Sequence, residues 1–207
     1  MTAALNFTHQ FVSGTSARTL LLLHGTGGDE HQLLALGREL DPAAALLSPR
    51  GPVSENGHRR FFRRLAEGVF DLEDLKKRTD DLAEFIVAAA AHYQLAQEKI
   101  VAVGYSNGAN IAASVLLRRP GTLRTAVLFR AMVPLQPETL PDLSGTRIWI
   151  GGGKQDTLIL PVETERLAAL LRDAGAEVTA RFFDAGHGLT NTEFVIVQRW
   201  LAQAREL

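Results

Sequence analysis

The segment Lys99-Ile100-Val101-Ala102-Val103-Gly104-Tyr105-Ser106-Asn107-Gly108-Ala109-Asn110 decides how the chain is read. Four β-compatible residues, 100–103, run into a turn of small residues, and residues 109–117 then offer a small-residue helix. Gly104-x-Ser106-x-Gly108 has the form of a nucleophile elbow, in which a serine is held on a strained strand-to-helix turn with its hydroxyl exposed. In so tight a turn, side chains at 104 and 108 would collide with the neighbouring strand and helix, and glycine also tolerates unusual backbone angles. Composition alone would produce the spacing in about one chain in twenty, so the flanking strand and helix carry the assignment.

Outward from the elbow, strands and helices alternate. Residues 19–23 form a continuous apolar run of the kind buried on both faces of a sheet. Residues 43–47 read as a further strand, stopped by Ser48-Pro49-Arg50-Gly51-Pro52, and 125–129, 147–150 and 178–183 as three more. Residues 4–12 alternate as an edge strand. Helical patterns cover 32–40, 71–93, 162–174 and 192–204. In the longest, Leu82, Phe85, Ile86, Ala89 and Tyr93 make one apolar stripe, and Asp71, Glu73 and Asp74 sit in the first turn, where the macrodipole favours acid. This order predicts an α/β fold with a mostly parallel central sheet and helices on both faces. At 207 residues with no linker in view, one domain over 1–207 is expected.

Residues 53–71 are the least regular stretch. Within them Glu55-Asn56-Gly57-His58-Arg59-Arg60-Phe61-Phe62-Arg63-Arg64 interleaves basic and aromatic side chains. The expectation is that the aromatics pack along a cleft and the arginines are solvated, a nucleic-acid surface being the alternative.

Charge nominates no macromolecular partner: 22 basic residues stand against 23 acidic, a formal net charge of -1, so there is no field to attract nucleic acid or an anionic membrane. Cysteine is absent, which removes disulfides, thiolate nucleophiles and Cys-based zinc sites. The first residues, Met1-Thr2-Ala3-Ala4-Leu5-Asn6-Phe7, lack the basic and apolar regions of a secretory signal, and no run reaches the roughly 18 apolar residues of a spanning helix. A cytoplasmic protein without membrane insertion is expected.

In an open parallel sheet, functional groups gather on loops beyond the carboxyl ends of the strands. Four such loops carry chemistry: Ser106; His24-Gly25-Thr26-Gly27-Gly28-Asp29; Gly151-Gly152-Gly153-Lys154-Gln155-Asp156; and Asp184-Ala185-Gly186-His187-Gly188. A serine hydroxyl is a weak nucleophile at neutral pH, so it needs a base within hydrogen-bond reach and an acid to fix that base. Ser106, Asp156 and His187 supply these in the chain order Ser, Asp, His of α/β-hydrolases. Asp184 is the rival acid, although three residues from the histidine it is badly placed to reach the ring from behind. Asp156 has its own competing role, an Asx turn. For an oxyanion, the same rule nominates the backbone N–H groups of Asn107 and Thr26. The glycines at 25, 27 and 28 could instead cradle a phosphate, but the Lys-Ser/Thr of a P-loop is missing. His24, His31 and Asp29 have no recognised metal-ligand spacing, so neither metal nor cofactor is expected.

Together, Leu23-His24-Gly25-Thr26-Gly27-Gly28-Asp29, Gly104-Tyr105-Ser106-Asn107-Gly108-Ala109, Gly153-Lys154-Gln155-Asp156 and Gly186-His187 resemble the phospholipase/carboxylesterase family of α/β-hydrolases, which also contains the acyl-protein thioesterases. The likeness covers nearly the whole chain and is greatest to small bacterial carboxylesterases, through Ser48 to Pro52 and Arg60-Phe61-Phe62-Arg63-Arg64. It implies a nearly capless hydrolase of short esters working through an acyl-enzyme, with the triad Ser106, Asp156 and His187 and oxyanion donors Thr26 and Asn107. Asn107 departs from the glutamine of eukaryotic relatives, a change that leaves a backbone donor intact. Phe61, Phe62, Met132, Ile159 and Leu189 are expected to wall the cleft, since they lie on or beside strand-end loops. The expected partner is a small-molecule ester, with no nucleic acid; a homodimer is one option, the sequence leaving the oligomeric state open. The alternatives are a thioesterase or lysophospholipase on the same fold, and a catalytically idle ligand-binding protein.

Overall fold

Successive side chains of a strand point to opposite faces, so a strand that is apolar throughout needs cover on both. Thr19–Leu23 is such a strand and is buried at every position. Leu21 and Leu23 enter one core, Leu20 and Leu22 the other. The computed structural model describes residues 5–203. Strands β1 (His9–Val12), β2 (Thr19–Leu23) and β3 (Ala45–Pro49) come first, followed by four short strands, β4 (Val53–Glu55), β5 (His58–Arg60), β6 (Arg64–Ala66) and β7 (Val69–Phe70). Strands β8 (Ile100–Tyr105), β9 (Thr125–Phe129), β10 (Arg147–Gly153) and β11 (Glu177–Phe183) complete the set. The helices are α1 (Leu34–Leu40), α2 (Leu72–His92), α3 (Asn107–Arg118), α4 (Pro161–Asp173) and α5 (Asn191–Gln203).

The main sheet runs β1-β3-β2-β8-β9-β10-β11. Every pair is parallel except the edge strand β1, which lies antiparallel on β3. On one face α2, α3 and α4 contribute Leu82, Ile111 and Leu167 to a core with Leu21, Ala102, Leu128 and Ile148. On the other, α1 and α5 contribute Leu40, Val197 and Trp200 to a core with Leu22, Val103, Phe129 and Trp149. The α/β-hydrolase architecture expected from the sequence is therefore present. From β2 the chain steps outward to β3, then crosses through α2 to β8 on the opposite side of β2. The carboxyl ends of β2 and β8 flank that reversal, where open parallel sheets leave a crevice.

Most expected elements fall within a residue or two of those observed. Ala4 and Ala204, outer bounds of the expected first strand and last helix, lie outside the described residues, and the edge strand begins only at His9, five residues later than expected. The glycines 151–153, read as loop, instead finish β10. Crowding is the reason: a Cβ on them would lie 2.6 Å from Trp149, 2.6 Å from Phe182 and 2.3 Å from the Gly186 carbonyl.

Residues 53–70 need a larger correction. They fold as two antiparallel hairpins, β4–β5 and β6–β7, a small insert that meets the expectation of a minimal cap. Asn56 and Gly57 turn the first hairpin with φ of 51° and 81°, the left-handed pair that Asn-Gly favours. Phe61 and Phe62 do not wall the cleft; both are wholly buried, Phe61 against the His24 ring at 4.7 Å and Phe62 against Phe70 at 5.0 Å. Nor is Arg60 solvated, at 4% exposure. The segment closes on α2, where the Asp71 carboxylate caps the helix by accepting from the Asp74 N–H at 3.1 Å. Asp74 in turn accepts from the Arg63 N–H at 2.8 Å. Among the described residues no helix is long and apolar enough to cross a membrane.

A cleft-wall phenylalanine and a core phenylalanine behave differently when truncated. Phe61→Ala is expected to lower the free energy of unfolding by about 3–5 kcal/mol, read from urea titrations. A loss under 1 kcal/mol would contradict the burial described.

Candidate active site

The turn after β8 is as tight as its sequence suggested. A Cβ at Gly104 would lie 2.6 Å from the Ala109 Cα, and one at Gly108 2.0 Å from the Leu23 carbonyl oxygen. Ser106 takes φ 52° and ψ -113°, a left-handed value that costs a non-glycine residue about 1–3 kcal/mol. Two backbone bonds hold it there: its N–H donates to the Phe129 carbonyl at 2.9 Å, and its own carbonyl accepts from the Asn110 N–H at 2.9 Å.

Three side chains from three strand ends meet at this turn. Ser106 Oγ lies 3.0 Å from His187 Nε2, and His187 Nδ1 lies 2.8 Å from Asp156 Oδ2. An ionised carboxylate only accepts, so Nδ1 carries the proton and Nε2 is free to accept from the serine hydroxyl. Asp156 is 2% exposed. Its Oδ1 accepts from the N–H groups of Leu158 and Ile159 at 2.9 and 3.0 Å, so the same residue makes the Asx-type turn weighed as its alternative and meets the histidine with the other oxygen. The rival Asp184 sits on the surface, paired with Lys154 at 2.8 Å.

The loop after β2 is fixed by polar contacts. His24 is buried; its Nε2 accepts from the Gly51 N–H at 2.9 Å, which makes Nδ1 the donor to the Gly25 carbonyl at 2.7 Å. The ring is therefore neutral, and burial lowers its pKa from 6.5. Glu30, also buried, takes both carboxylate oxygens to the Arg50 guanidinium at 2.5 Å. Those bonds hold its pKa down to about 2. Arg60 Nη1 donates to Thr26 Oγ1 at 2.7 Å and the Gly27 N–H to the Arg59 carbonyl at 2.8 Å. Across the cleft the Asn107 side chain accepts from the Phe61 N–H at 2.7 Å. Among the described residues, neither the Thr26 nor the Asn107 backbone N–H meets an acceptor, and the latter opens α3, where the helix dipole favours negative charge.

These groups border a cavity of about 300 Å³ that includes Thr26, Ser106, Asn107 and His187. Met132 and Ile159 line it. Leu189 does not line it and packs against the core around Trp149. The places expected for Phe61 and Phe62 are taken by Arg60, Arg64, Glu67 and Phe70 from the hairpins, with Tyr105, Asn110 and Leu158 completing the wall. Tyr105 also donates from its hydroxyl to the His187 carbonyl at 3.1 Å. Sequence reasoning missed this group. Only Tyr105 carried a signal, its place inside the elbow.

Residues 54–205 match the family described as the Dienelactone hydrolase family. The protein MhqD of Bacillus subtilis (strain 168), which carries a hydrolase designation, is 50% identical over 196 residues, covering 95% of this chain and 98% of its own. Among solved structures, the Bacillus cereus carboxylesterase superposes with a TM-score of 0.94 at 46% identity, over 96% of this chain and 95% of that one. YahD, solved with malic acid, gives 0.90 at 31% identity, over 95% and 98%.

Two expectations follow from the geometry. Turnover of an aryl ester should fall about 10⁴-fold in Asp156→Asn, through loss of the tautomer that leaves Nε2 free, and by less than twofold in Asp184→Ala. Stability should also fall with acid in two stages. The His24 pKa is lowered on folding, so its contribution is complete above 6.5 and is lost as pH falls through the folded value. The Glu30 pKa is lowered from 4.5, so its contribution is complete above 4.5 and is lost toward about 2. Urea midpoints measured against pH should lose the first stage in His24→Gln and the second in Glu30→Gln.

Proposed function

Because the chain belongs to the dienelactone hydrolase family, we propose that it is a serine carboxylesterase that cleaves small esters through an acyl-enzyme. The observation that carries this reading is the hydrogen-bonded series from Ser106 Oγ through His187 to Asp156 at the edge of the cavity. As Oγ attacks the ester carbonyl carbon, His187 Nε2 takes its proton, and Asp156 stabilises the imidazolium without taking a proton itself. The carbonyl oxygen, now an anion, receives the N–H groups of Thr26 and Asn107; one such donor is worth about 3 kcal/mol in the transition state. The tetrahedral adduct collapses when its C–O bond to the alcohol breaks and Nε2 returns the proton to the departing oxygen. The acyl group stays on Ser106. Water then repeats the sequence: Nε2 takes its proton, the oxygen adds to the acyl carbon, and Oγ leaves with the proton as the acid departs.

The cavity also bears on the substrate. A volume of about 300 Å³ is at the small end for ligand sites, and a wall holding Arg60, Arg64 and Glu67 suits a small polar ester better than the long chain of a lysophospholipid. Arg60 is buried beside the serine and its Nη2 has no hydrogen-bond partner among the described residues; Arg60 and Arg64 share the single carboxylate of Glu55. Both guanidiniums reach the cavity, and the Arg60 fork can donate to an ester that carries a carboxylate, in keeping with the malic acid in the YahD structure.

A fluorophosphonate should add its mass to Ser106, and Ser106→Ala should escape labelling and lose on the order of 10⁶-fold in kcat. Wild-type turnover by that variant would overturn the mechanism. For the substrate class, a hemisuccinate aryl ester should show a KM about tenfold below that of its neutral methyl-ester counterpart, a difference of about 1.4 kcal/mol, with Arg64→Gln narrowing the gap. Equal KM values in the wild type would remove the anionic preference and leave the esterase reading standing.

A further inference from the structure

Arg130 follows β9 directly, and the mechanism above makes no use of it. Its side chain is wholly buried, and its backbone is left-handed, at φ 54°, which an arginine adopts only under constraint. The constraint is visible. Its N–H donates to the Gly151 carbonyl at 2.8 Å, and each of the five guanidinium N–H groups has an acceptor. Nε donates to the Gly186 carbonyl at 3.0 Å. Nη1 donates to Glu193 Oε1 at 2.6 Å and the Gly151 carbonyl at 3.3 Å. Nη2 donates to the Gly188 carbonyl at 2.6 Å and to Glu193 Oε2 at 3.0 Å.

Two of those acceptors are the carbonyls on either side of His187. A buried pair serving only to tie α5 to the sheet would have no need of them. Glu193 is equally buried, and its Oε2 also accepts from the Thr190 N–H at 2.8 Å and hydroxyl at 3.0 Å. With the Glu193 N–H returning to Thr190 Oγ1 at 3.4 Å, the pair forms the capping box of α5. One guanidinium therefore joins the start of a helix to both flanks of the histidine loop. It also approaches the triad: Arg130 Nε lies 4.0 Å from Asp156 Oδ2. The groups that face the His187 ring or its loop are Ser106, Asp156, Arg130, Glu193 and Tyr105. In formal charge Arg130, Glu193 and Asp156 sum to one negative, which the imidazolium neutralises.

We propose that Arg130, with Glu193, is the positioning residue of the histidine, holding its loop so that Nε2 meets the Ser106 hydroxyl and balancing the charge behind Asp156. The inference rests on the reading of His187 as the general base. Misplacement by about 1 Å costs on the order of 100-fold in rate, so the loss should appear in kcat. Arg130→Lys keeps the charge and loses the fork; its kcat should fall at least tenfold with KM within twofold and the acid limb of the pH–rate profile in place. Arg130→Gln should move that limb to higher pH, by removing a positive charge near the base. Glu193→Gln should move it to lower pH. Opposite displacements from two halves of one ion pair are not produced by a packing defect.

Since removing one partner of a buried pair can unfold a protein, Arg130→Met/Glu193→Leu, which replaces the pair with apolar volume, is measured beside them. It should fold and still lose at least tenfold in kcat. Wild-type kcat in that double variant, or unmoved acid limbs in the folded single variants, would overturn the proposal. A separate readout needs no substrate: the Nδ1–H proton of His187, observed by NMR, should exchange with solvent faster in the double variant than in the wild type. If the wild type hydrolyses no ester, the esterase reading fails and the exchange rate still decides the clamp, an unchanged rate overturning it.

Discussion

The arrangement depends on how closely α3 approaches the end of β2. At Gly108 the helix lies so near the Leu23 carbonyl that any Cβ would overlap it, and Ala109, Ala112 and Ala113 keep the rest of the contact shallow and wholly buried. Moving the helix outward by the width of a methyl group would release the Ser106 backbone from its left-handed angle. It would also separate the first N–H of α3 from the loop that begins at His24. One steric contact therefore lies beneath both the left-handed Ser106 backbone and the first N–H of α3. Burial of Ile111, Val115 and Leu116 in the core, about 1.5–3 kcal/mol for each side chain, more than offsets the strain.

Around that contact, the site selects among similar groups by what else each one bonds. Asp156 and Asp184 both follow sheet strands, yet two backbone N–H groups engage one oxygen of Asp156 and leave the other aimed at His187, whereas Asp184 meets a solvated lysine. The turn reading and the triad reading of Asp156 were never exclusive, because a carboxylate has two oxygens. The buried histidine His24 is likewise assigned by its partner: accepting from the Gly51 N–H commits it to the neutral form, so it works as a loop support.

Periodic features were legible in the sequence for a physical reason. A strand covered on both faces must be apolar throughout, and a long helix must repeat its apolar face, so β2, α2 and the elbow could be read locally. The Gly151–Gly153 run was not, because glycine marks loops and crowding alike, and the crowding atoms belong to Trp149, Phe182 and Gly186. The hairpin insert did carry its turn signal at Asn56-Gly57. What concealed Phe61 and Phe62 is that mixed basic and aromatic composition does not say which residues face inward in strands of three. Arg130 gave least of all: it is one arginine at the end of an apolar strand, and its side-chain acceptors stand 21 to 63 residues further along. Only Thr190-x-x-Glu193, a capping box, could have been found in advance, and nothing local ties it to the arginine.

The glycines flanking His187 show how these two kinds of information meet. Neither has a positive φ, and a Cβ at either would meet nothing closer than 3.7 Å beyond its neighbours in the chain. Neither crowding nor backbone angle therefore requires them. What they give the loop is freedom, and a ring that meets Asp156 at one nitrogen and Ser106 at the other needs the opposite, to be held to within a fraction of an ångström. The two requirements are reconciled by capture of the backbone from outside: the carbonyls of Gly186, His187 and Gly188 are held by Arg130, Tyr105 and Arg130 in turn. Three consecutive carbonyls fixed by two side chains, the wholly buried Arg130 and the half-buried Tyr105, do for this loop what a regular hydrogen-bond ladder does for a strand. The imidazole stays free to bond at both nitrogens while the chain that carries it is hydrogen-bonded at each of those carbonyls.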